Sequence, residues 1–276
     1  MPELPEVETT RRGIAPALEG RTITEVVVRD RRLRWPVPRG LEARLAGQPV
    51  LRVRRRAKYL LVETPGGTAM VHLGMSGSMR IVNAAEALRK HDHFDLVTDS
   101  GDIVRFNDPR RFGSLLWAGA TPATHPLIRD LGPEPLPGDF DADEFTGDYL
   151  WTTARKRKVT IKQHIMNANI VVGVGNIYAS EALFRAGIHP SRQAGRVSRA
   201  RIEKLVAGIQ TVLADAIRVG GTTLRDYSGG DGKPGYFRQK LNVYERGGKP
   251  CRVCGTEITR TVHGQRATYY CKTCQT

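Results

Sequence analysis

Apolar residues recur with two different spacings along this chain. Around residues 5–18 they follow the spacing of one helical face, which predicts a short amphipathic helix with Leu4, Val7, Ile14 and Leu18 on that face. Further along they gather into short segments rich in Val, Ile and Leu, separated by Gly, Pro or Asp. These segments predict strands near 22–30, 48–56, 59–64, 68–73, 78–82, 94–98, 102–107 and 113–118. Strands of this length and spacing are typical of a β-sandwich or a flattened barrel.

The second half of the chain has a helical pattern. Residues 121–148 are rich in Pro, Gly and Asp, which is typical of a linker. A glycine-rich segment at 228–235 predicts a loop, and no run approaches the ~20 apolar residues that cross a bilayer. Between them, helices are predicted at about 150–168, 176–186 and 198–219, the last ending at Gly220-Gly221.

The charge of the chain indicates a polyanionic partner. Its 43 Lys and Arg residues against 28 Asp and Glu residues give a formal net charge of +15. Such an excess is typical of nucleic-acid-binding proteins, although a ribosomal or membrane-surface protein would share it. With 276 residues, 40% of them hydrophobic, the chain is long enough for two domains with separate cores. The charged, proline-bearing N-terminus is unlike a signal peptide, so the cytoplasm is the expected compartment.

The first eight residues hold three carboxylates and two prolines. Removal of Met1 would leave Pro2 as a secondary amine, and an α-amino group titrates near ~8, so a usable fraction is uncharged at neutral pH. Such an amine can attack an aldehyde-level carbon and form an iminium, with Glu3 and Glu6 as acid and base. The same residues fit a helix cap, with Pro5 in the first turn and carboxylates at the positive end of the helix dipole. These residues alone leave both interpretations open.

The four cysteines form two pairs, Cys251-x2-Cys254 and Cys271-x2-Cys274, separated by sixteen residues. In a cytosolic basic chain this spacing predicts a four-thiolate zinc site, and two disulfides are the alternative that the compartment disfavours. Four thiolates leave no open position on the metal, so the zinc would be structural. The sixteen residues between the pairs fit a β-hairpin. Its tip, 263–266, presents Arg266 either as a phosphate clamp or as a solvated turn residue.

Two segments of the helical half carry candidate phosphate-binding groups. Residues 171–176 place two glycines before a predicted helix, with Asn176 as its N-cap. A helix start with exposed amides binds phosphate, although many helix connections have a similar pattern. The basic run at 155–158, followed by Lys162, is most often a solvated face, but here it lies near the proposed binding groove.

Two turns of the strand-rich half carry unusual combinations of residues. Residues 72–77 (the Met75 turn) place a methionine between glycines, and residues 107–113 (the Arg110 turn) combine arginines with Phe112. Apolar residues at the tips of loops can enter a DNA base stack and hold a base out. Taken singly, Met75 and Phe112 would be assigned to the hydrophobic core.

Together these segments resemble formamidopyrimidine-DNA glycosylases, the bacterial enzymes that remove oxidised purines from DNA. The resemblance runs essentially from end to end and keeps the family's order. Its segments are MPELPEVET, RRAKYL, HLGMSGS, DPRRFG, VGVGNIYASE and the four-cysteine finger with QRAT.

The resemblance implies an α+β multidomain fold: an N-terminal β-sandwich with a leading helix, a helix–two-turns–helix domain and a C-terminal four-cysteine zinc-finger β-hairpin. The implied domains are 1–120 for the catalytic helix and sandwich, 121–149 for the linker, 150–238 for the helix–two-turns–helix domain with its lesion loop, and 239–276 for the zinc finger.

The resemblance also implies roles for five residues. Pro2 would be the nucleophile, Glu3 the acid that helps to open the sugar, and Glu6 a supporting carboxylate or a group that positions water. Lys58 would donate a proton in β-elimination and Arg266 in δ-elimination. Because a guanidinium is a poor acid at neutral pH, we expect Arg266 to stabilise the departing phosphate instead. The implied activity is that of a bifunctional glycosylase and AP lyase of base excision repair, acting on 8-oxoguanine and formamidopyrimidines.

The implied partner is damaged double-stranded DNA, bound by a monomer in the bacterial cytoplasm at the nucleoid, with one structural Zn²⁺ and no membrane. Arg110 would face the orphaned base, and Thr222 to Phe237 would close over the flipped purine. The implied DNA-contacting residues are His72, Met75, His91, Arg110, Phe112, Arg157 and Asn176, with Lys58 and Arg266 in addition.

Two alternatives stand beside this interpretation. The endonuclease-eight type shares the fold, the Pro2–Glu3 start and the zinc finger but prefers oxidised pyrimidines. Its start usually has glycine where Leu4 stands here. A non-catalytic damaged-DNA-binding zinc protein would have lost Pro2, Glu3 or Lys58, and all three are present.

Overall fold

A computed structural model describes residues 2–138, 142–221 and 240–276. Within these residues the chain forms two units. The first unit takes residues 2–129 and 219–221, and the second unit takes residues 130–138, 142–218 and 240–276. The predicted lesion loop from Thr222 to Phe237 lies outside the described residues. The four predicted domains divide the chain more finely than the two units, and their bounds stay a prediction.

Two antiparallel sheets build the first unit. One has the strand order β2-β1-β7-β8-β6 and the other β3-β4-β5-β9. The predicted strand segments are all present, which agrees with the predicted sandwich. The strands are β1 (Thr22–Val28), β2 (Gln48–Pro49), β3 (Arg52–Arg56), β4 (Tyr59–Thr64), β5 (Gly67–His72), β6 (Ser78–Val82), β7 (Asp92–Thr98), β8 (Ile103–Asn107) and β9 (Ser114–Gly119).

The segment 48–56, predicted as one strand, is two strands in different sheets. β2 pairs with β1 as far as Pro49, whereas the N–H of Leu51 already donates to the carbonyl of Glu63 in β4 at 2.8 Å. Val50 still bonds to the residues just before β1: its N–H donates to the carbonyl of Arg21 at 2.8 Å, and its carbonyl accepts the N–H of Gly20 at 2.9 Å. The chain therefore passes from one sheet to the other at Val50.

Two helices pack on this sandwich. Helix α1 (Leu4–Leu18) forms where it was predicted, and its apolar face is buried. Val7, Ile14 and Leu18 of that face join the core that contains Phe94 and Phe106. Helix α2 (Leu41–Leu45) was not predicted, because five residues are too few to show a helical period.

Helices and one hairpin build the second unit. Within the described residues, no helix is both long and apolar enough to cross a membrane. The elements are α3 (Gly147–Ala154), α4 (Ile161–Ile165), α5 (Asn176–Arg185), α6 (Arg199–Arg218), β10 (Thr259–His263) and β11 (Arg266–Tyr270).

The helix predicted at 150–168 is broken into α3 and α4. Lys156 adopts a φ of 60°, a left-handed conformation that no α-helix continues through. Thr160 then caps α4, its Oγ1 accepting the N–H of Gln163 at 3.2 Å in a capping box. The Thr-x-x-Gln pattern is itself a helix-start signal, so the break is encoded locally.

Helix α4 also holds a buried titratable group, His164. Its Nε2 lies 3.1 Å from Oγ1 of Thr153 in α3. Burial, and after it the charge of Arg157, lowers the pKa of His164 to about 4. The folded state therefore keeps this imidazole neutral at a pH where the unfolded chain takes up a proton.

We expect His164 to make the free energy of unfolding fall as the pH drops below its unfolded pKa of ~6.5. Between pH 7 and pH 5 its contribution to this loss should be on the order of 1–2 kcal/mol. His164→Gln keeps a polar group in place but does not titrate, so its stability should depend less on pH. Urea unfolding of both proteins at pH 7 and pH 5 measures the difference. An equal loss of stability in wild type and variant would contradict the prediction.

Candidate active site and metal centre

Pro2 and the two carboxylates predicted to assist it are buried at the start of α1. Glu3 is the N-cap, and its N–H donates to Oε2 of Glu6 at 2.8 Å. The carboxylate of Glu3 in turn accepts the N–H of Glu6, which completes a capping box. Pro5 stands in the first turn, where a missing N–H is no loss. The cap and the candidate catalytic group are therefore the same residues.

Glu8 fastens α1 to the sandwich. Its carboxylate accepts hydrogen bonds from Arg11 at 2.9 Å and Arg12 at 2.8 Å, and the buried Arg55 of β3 lies 3.4 Å away. Burial opposes the charge of Glu8, yet the hydrogen bonds from Arg11 and Arg12 hold its pKa below the usual value. Arg11 also donates to the carbonyl of Val53 at 3.3 Å. The first two turns of the chain are thus held in place.

Lys58 lies half-buried in the two-residue turn between β3 and β4, directly after Ala57, whose φ is 54°. His72, at the end of β5, accepts the N–H of Gly74 through Nδ1 at 2.9 Å. Burial, followed by the charges of Lys58 and Arg34, lowers the pKa of His72 to about 4. At neutral pH His72 is therefore uncharged, with its proton on Nε2, where it can donate a hydrogen bond.

The Met75 turn and the Arg110 turn lie against each other. A Cβ at Gly74 would come within 2.4 Å of the backbone of Phe112, so only glycine permits this approach. Phe112 is 42% exposed, and the guanidinium of Arg110 stacks over its ring at 4.8 Å. Met75 is partly exposed. Phe112 is therefore not a core residue, and both turns present apolar tips.

His91 lies at the base of the Arg110 turn. Its φ is 75°, and its carbonyl accepts the N–H of Asp108 at 3.0 Å. Asp108 is fully buried and was not singled out from the sequence. The Asp108-Pro109 pair could have drawn attention to it, because Asp before Pro commonly starts a turn with its side chain bonded to the backbone beyond.

In the second unit the prediction for Asn176 needs correction. Gly175 is the N-cap of α5, whereas Asn176 is the first helical residue and donates through Nδ2 to the carbonyl of Ala267 at 3.0 Å. Lys162 is not on a solvated face: it is 2% exposed and donates to the same carbonyl at 3.2 Å. Both side chains hold strand β11, whose first residue is the exposed Arg266.

Two other residues of this unit are Arg157, which was singled out from the sequence, and Glu181, which was not. Arg157, predicted to contact DNA, is exposed in the turn after α3. Glu181 was missed: this buried carboxylate in α5 accepts backbone N–H groups of Asn242, Val243 and Tyr244 at 2.8–2.9 Å. A single acidic residue inside the apolar run of α5 was the available signal.

The four cysteine thiols converge, and all their Sγ atoms lie within 4.8 Å of one another. The Sγ atoms of Cys251 and Cys274 are 3.9 Å apart, and those of Cys254 and Cys271 are 3.4 Å apart. A tetrahedral zinc with Zn–S bonds of about 2.3 Å separates its sulfurs by about 3.8 Å. The donor set and its dimensions therefore fit Zn²⁺, which these residues would hold without leaving a position for substrate.

The hairpin between the cysteine pairs has the predicted tip. His263 pairs with Arg266, and Gly264 and Gln265 between them have φ values of 54° and 62°. Positive φ at both central residues is the conformation of a type I′ turn, whose twist matches that of the strands. The turn fixes the position of Arg266 at the first pair of the ladder.

Comparisons with known proteins cover the chain from end to end. The family models that match describe the formamidopyrimidine-DNA glycosylase N-terminal domain over residues 1–115, the H2TH domain of the same enzymes over 131–228, and a zinc finger found in FPG and IleRS over 248–276. A formamidopyrimidine-DNA glycosylase of Thioalkalivibrio sulfidiphilus is 58% identical over 275 residues, covering 100% of both chains.

Solved structures give the same result. The MutM (FPG) protein of Thermus thermophilus is 38% identical, with a TM-score of 0.86 over 99% of this chain and 98% of that one. An FPG mutant of Lactococcus lactis, in complex with DNA containing Fapy-dG, is 30% identical, with a TM-score of 0.89 over 99% of both chains.

We expect the hairpin to lose its structure when zinc is removed. The hydrophobic cluster around it has four buried members, Val243, Cys251, Ile258 and Cys271, with Phe184, Tyr269 and Cys274 packed against them, so three of its seven members are themselves proposed ligands. So small a core does not hold a hairpin without the metal. Native mass spectrometry should give one zinc per chain. After chelation, hydrogen exchange should accelerate throughout β10 and β11 while the sandwich stays protected, and hairpin amides that remain protected would contradict this.

Proposed function

Because this chain belongs to the formamidopyrimidine-DNA glycosylase family, and is thus a DNA glycosylase of base excision repair, we propose that it excises oxidised purines and cleaves the strand through a Schiff base on Pro2. The observation that carries the proposal is the burial of Pro2 beside the reciprocal hydrogen bonds of Glu3 and Glu6. The substrate class is supported by the relative bound to Fapy-dG DNA and by Leu4, where the oxidised-pyrimidine enzymes usually have glycine.

In the first reaction the nitrogen of Pro2 replaces the damaged base at C1′ of the sugar. The uncharged nitrogen of Pro2, freed by loss of Met1, attacks C1′, and the base leaves with the electron pair of the glycosidic bond. The departing base takes up the proton of the nitrogen, and Glu3 protonates O4′ so that the sugar ring opens. The nitrogen lone pair then forms the iminium bond to C1′. Glu6 supports Glu3 by accepting its backbone N–H.

Two eliminations then cleave the strand. The iminium acidifies the hydrogens of C2′, and loss of one expels the 3′ phosphate. A second elimination expels the 5′ phosphate and leaves a one-nucleotide gap with phosphate at both ends. We assign proton donation in the first elimination to Lys58 and stabilisation of the second leaving phosphate to Arg266, which is exposed and permanently charged.

The DNA-binding roles follow from chemistry and from the family resemblance. Neutral His72 would donate Nε2–H to a phosphate, and His91, Arg157 and Asn176 would contact the backbone. Apolar or stacked side chains would replace the flipped base: Met75 and Phe112, with Arg110 facing the orphaned base. The four cysteines would hold one structural Zn²⁺. The cytoplasmic location and the monomeric state stay predictions from the sequence.

The test of this function is borohydride trapping on duplex DNA with one 8-oxoguanine opposite cytosine. Reduction of the iminium should link wild type to the DNA, and unreduced reactions should give the phosphate-ended gap. Pro2→Gly should lose most of the covalent complex, because its terminal amine is primary and less constrained. Undamaged DNA and DNA with an oxidised pyrimidine are the controls. Tight binding without trapping would make the protein a damage-binding protein, and preferential trapping on the pyrimidine would favour the endonuclease-eight type.

Glu3→Gln should separate the chemistry of Glu3 from its capping. Glutamine still accepts the N–H of Glu6, so stability should stay within about 0.5 kcal/mol of wild type. The acidic proton that opens the sugar ring is lost, so single-turnover strand cleavage, and with it the iminium trapped by borohydride, should fall by at least about 100-fold. Glu3→Ala, which removes the cap as well, should also cost about 1 kcal/mol of stability. Iminium trapping and strand cleavage at the wild-type rate in Glu3→Gln would show that Glu3 is only a cap.

A further inference from the structure

A single buried carboxylate touches both of the turns proposed to enter DNA. Oδ1 of Asp108 accepts the hydroxyl of Ser76, in the Met75 turn, at 2.7 Å. The same oxygen accepts the N–H of Arg110 at 3.2 Å, and Oδ2 accepts the N–H of Gly113 at 2.7 Å. The side chain is fully buried, so water does not compete for these bonds.

The backbone of Asp108 is held as firmly as its side chain. Its N–H donates to the carbonyl of His91 at 3.0 Å, and its own carbonyl lies 2.7 Å from Nε2 of His93. The ladder between β7 and β8 shifts register between Asp92 and Phe94, which makes His93 the extra residue of a bulge. This bulge directs the imidazole toward Asp108.

The two turns have no room to move separately. In addition to the close approach at Gly74, a Cβ at Gly113 in the Arg110 turn would lie 2.8 Å from the carbonyl oxygen of His72 in the Met75 turn. A Cβ at Gly113 would lie 2.6 Å from the ring of Phe106. The turns are thus packed backbone to backbone, with the carboxylate of Asp108 as the polar link between them.

We propose that Asp108 is a positioning residue that makes the Met75 turn and the Arg110 turn one rigid element, and that discrimination of the base opposite the lesion depends on it. Asp108 itself touches no base; it acts through the backbone on which Arg110 and Phe112 stand. This proposal rests on the proposed function, since it concerns how the same site examines the orphaned base.

The chemistry of the side chain explains why a carboxylate is needed here. Both oxygens of Asp108 accept, and two of their donors, Arg110 and Gly113, are backbone N–H groups that cannot reverse their role. Asparagine has the same shape but replaces one acceptor with an NH₂ donor. In either orientation one buried backbone N–H then faces another donor, and the connection between the turns is weakened.

The experiment compares single-turnover base release from 8-oxoguanine opposite cytosine and opposite adenine. Asp108→Asn should lower the ratio of the two rates by about tenfold, because Arg110 is then held less firmly against the orphaned base. Ser76→Ala, which removes one donor, should lower it by about two- to threefold. The matched control is Asp95→Asn, which alters a buried carboxylate paired with Arg105 and remote in sequence from both turns. It should lower stability and leave the ratio unchanged.

Hydrogen exchange of the DNA-free protein gives a readout that does not depend on activity. In Asp108→Asn the amides of Gly77 and Gly113 should both exchange faster, whereas Asp95→Asn should leave both unchanged. If the wild-type protein excised no base, the proposed function would be refuted. Hydrogen exchange would still test whether Asp108 connects the two turns. An unchanged ratio in Asp108→Asn, or faster exchange at Gly113 alone, would overturn the proposal. If Asp108→Asn does not fold, Ser76→Ala carries both measurements.

Discussion

The structure depends on holding the first residues of the polypeptide still. Chain termini ordinarily fray, because nothing satisfies or packs their backbone. Here the reciprocal hydrogen bonds of Glu3 and Glu6 close the first turn of α1, and Glu8 joins the second turn to Arg55 of the sandwich. These carboxylates are buried, so their bonds are formed out of competition with water. The nucleophile proposed at residue 2 would be oriented only as well as this turn is.

The N-cap of α1 is a glutamate, Glu3, and the need for a cap does not by itself explain that choice. Side chains preferred at an N-cap are Ser, Thr, Asp and Asn, which reach the first backbone amides with few rotatable bonds. Glu3 does the same with a longer and more flexible side chain, so capping alone does not explain the choice of glutamate. A departure from a local rule is expected where a residue has a second task. The role proposed for Glu3, as the acid that opens the sugar, is such a task.

The sequence predicted most of what is decided locally, with the break between α3 and α4 as an exception, and missed what is decided at a distance. Strand positions, the zinc-binding cysteines and the hairpin tip follow from turn residues and spacing within a few positions. The contacts of Asn176 and Lys162 were not predicted, because their partner, the carbonyl of Ala267, lies 91 and 105 residues away along the chain. The division of 48–56 into two strands was missed for the same reason, since it depends on which distant strand each half pairs with. Asp108 escaped notice because burial of a polar side chain leaves no periodic pattern.

Left-handed backbone in residues other than glycine lies beside proposed functional groups of the first unit. Ala57 precedes Lys58, Arg111 follows Arg110, and His91 is itself a proposed contact. Each such residue costs on the order of 1–3 kcal/mol and persists only where its surroundings fix it. The surroundings here are hydrogen bonds: Arg55 donates to the carbonyl of Ala57 at 3.1 Å, and Asp108 donates to that of His91. The sandwich thus keeps strained turns in one conformation before DNA binds. Binding therefore does not have to supply the free energy of ordering them.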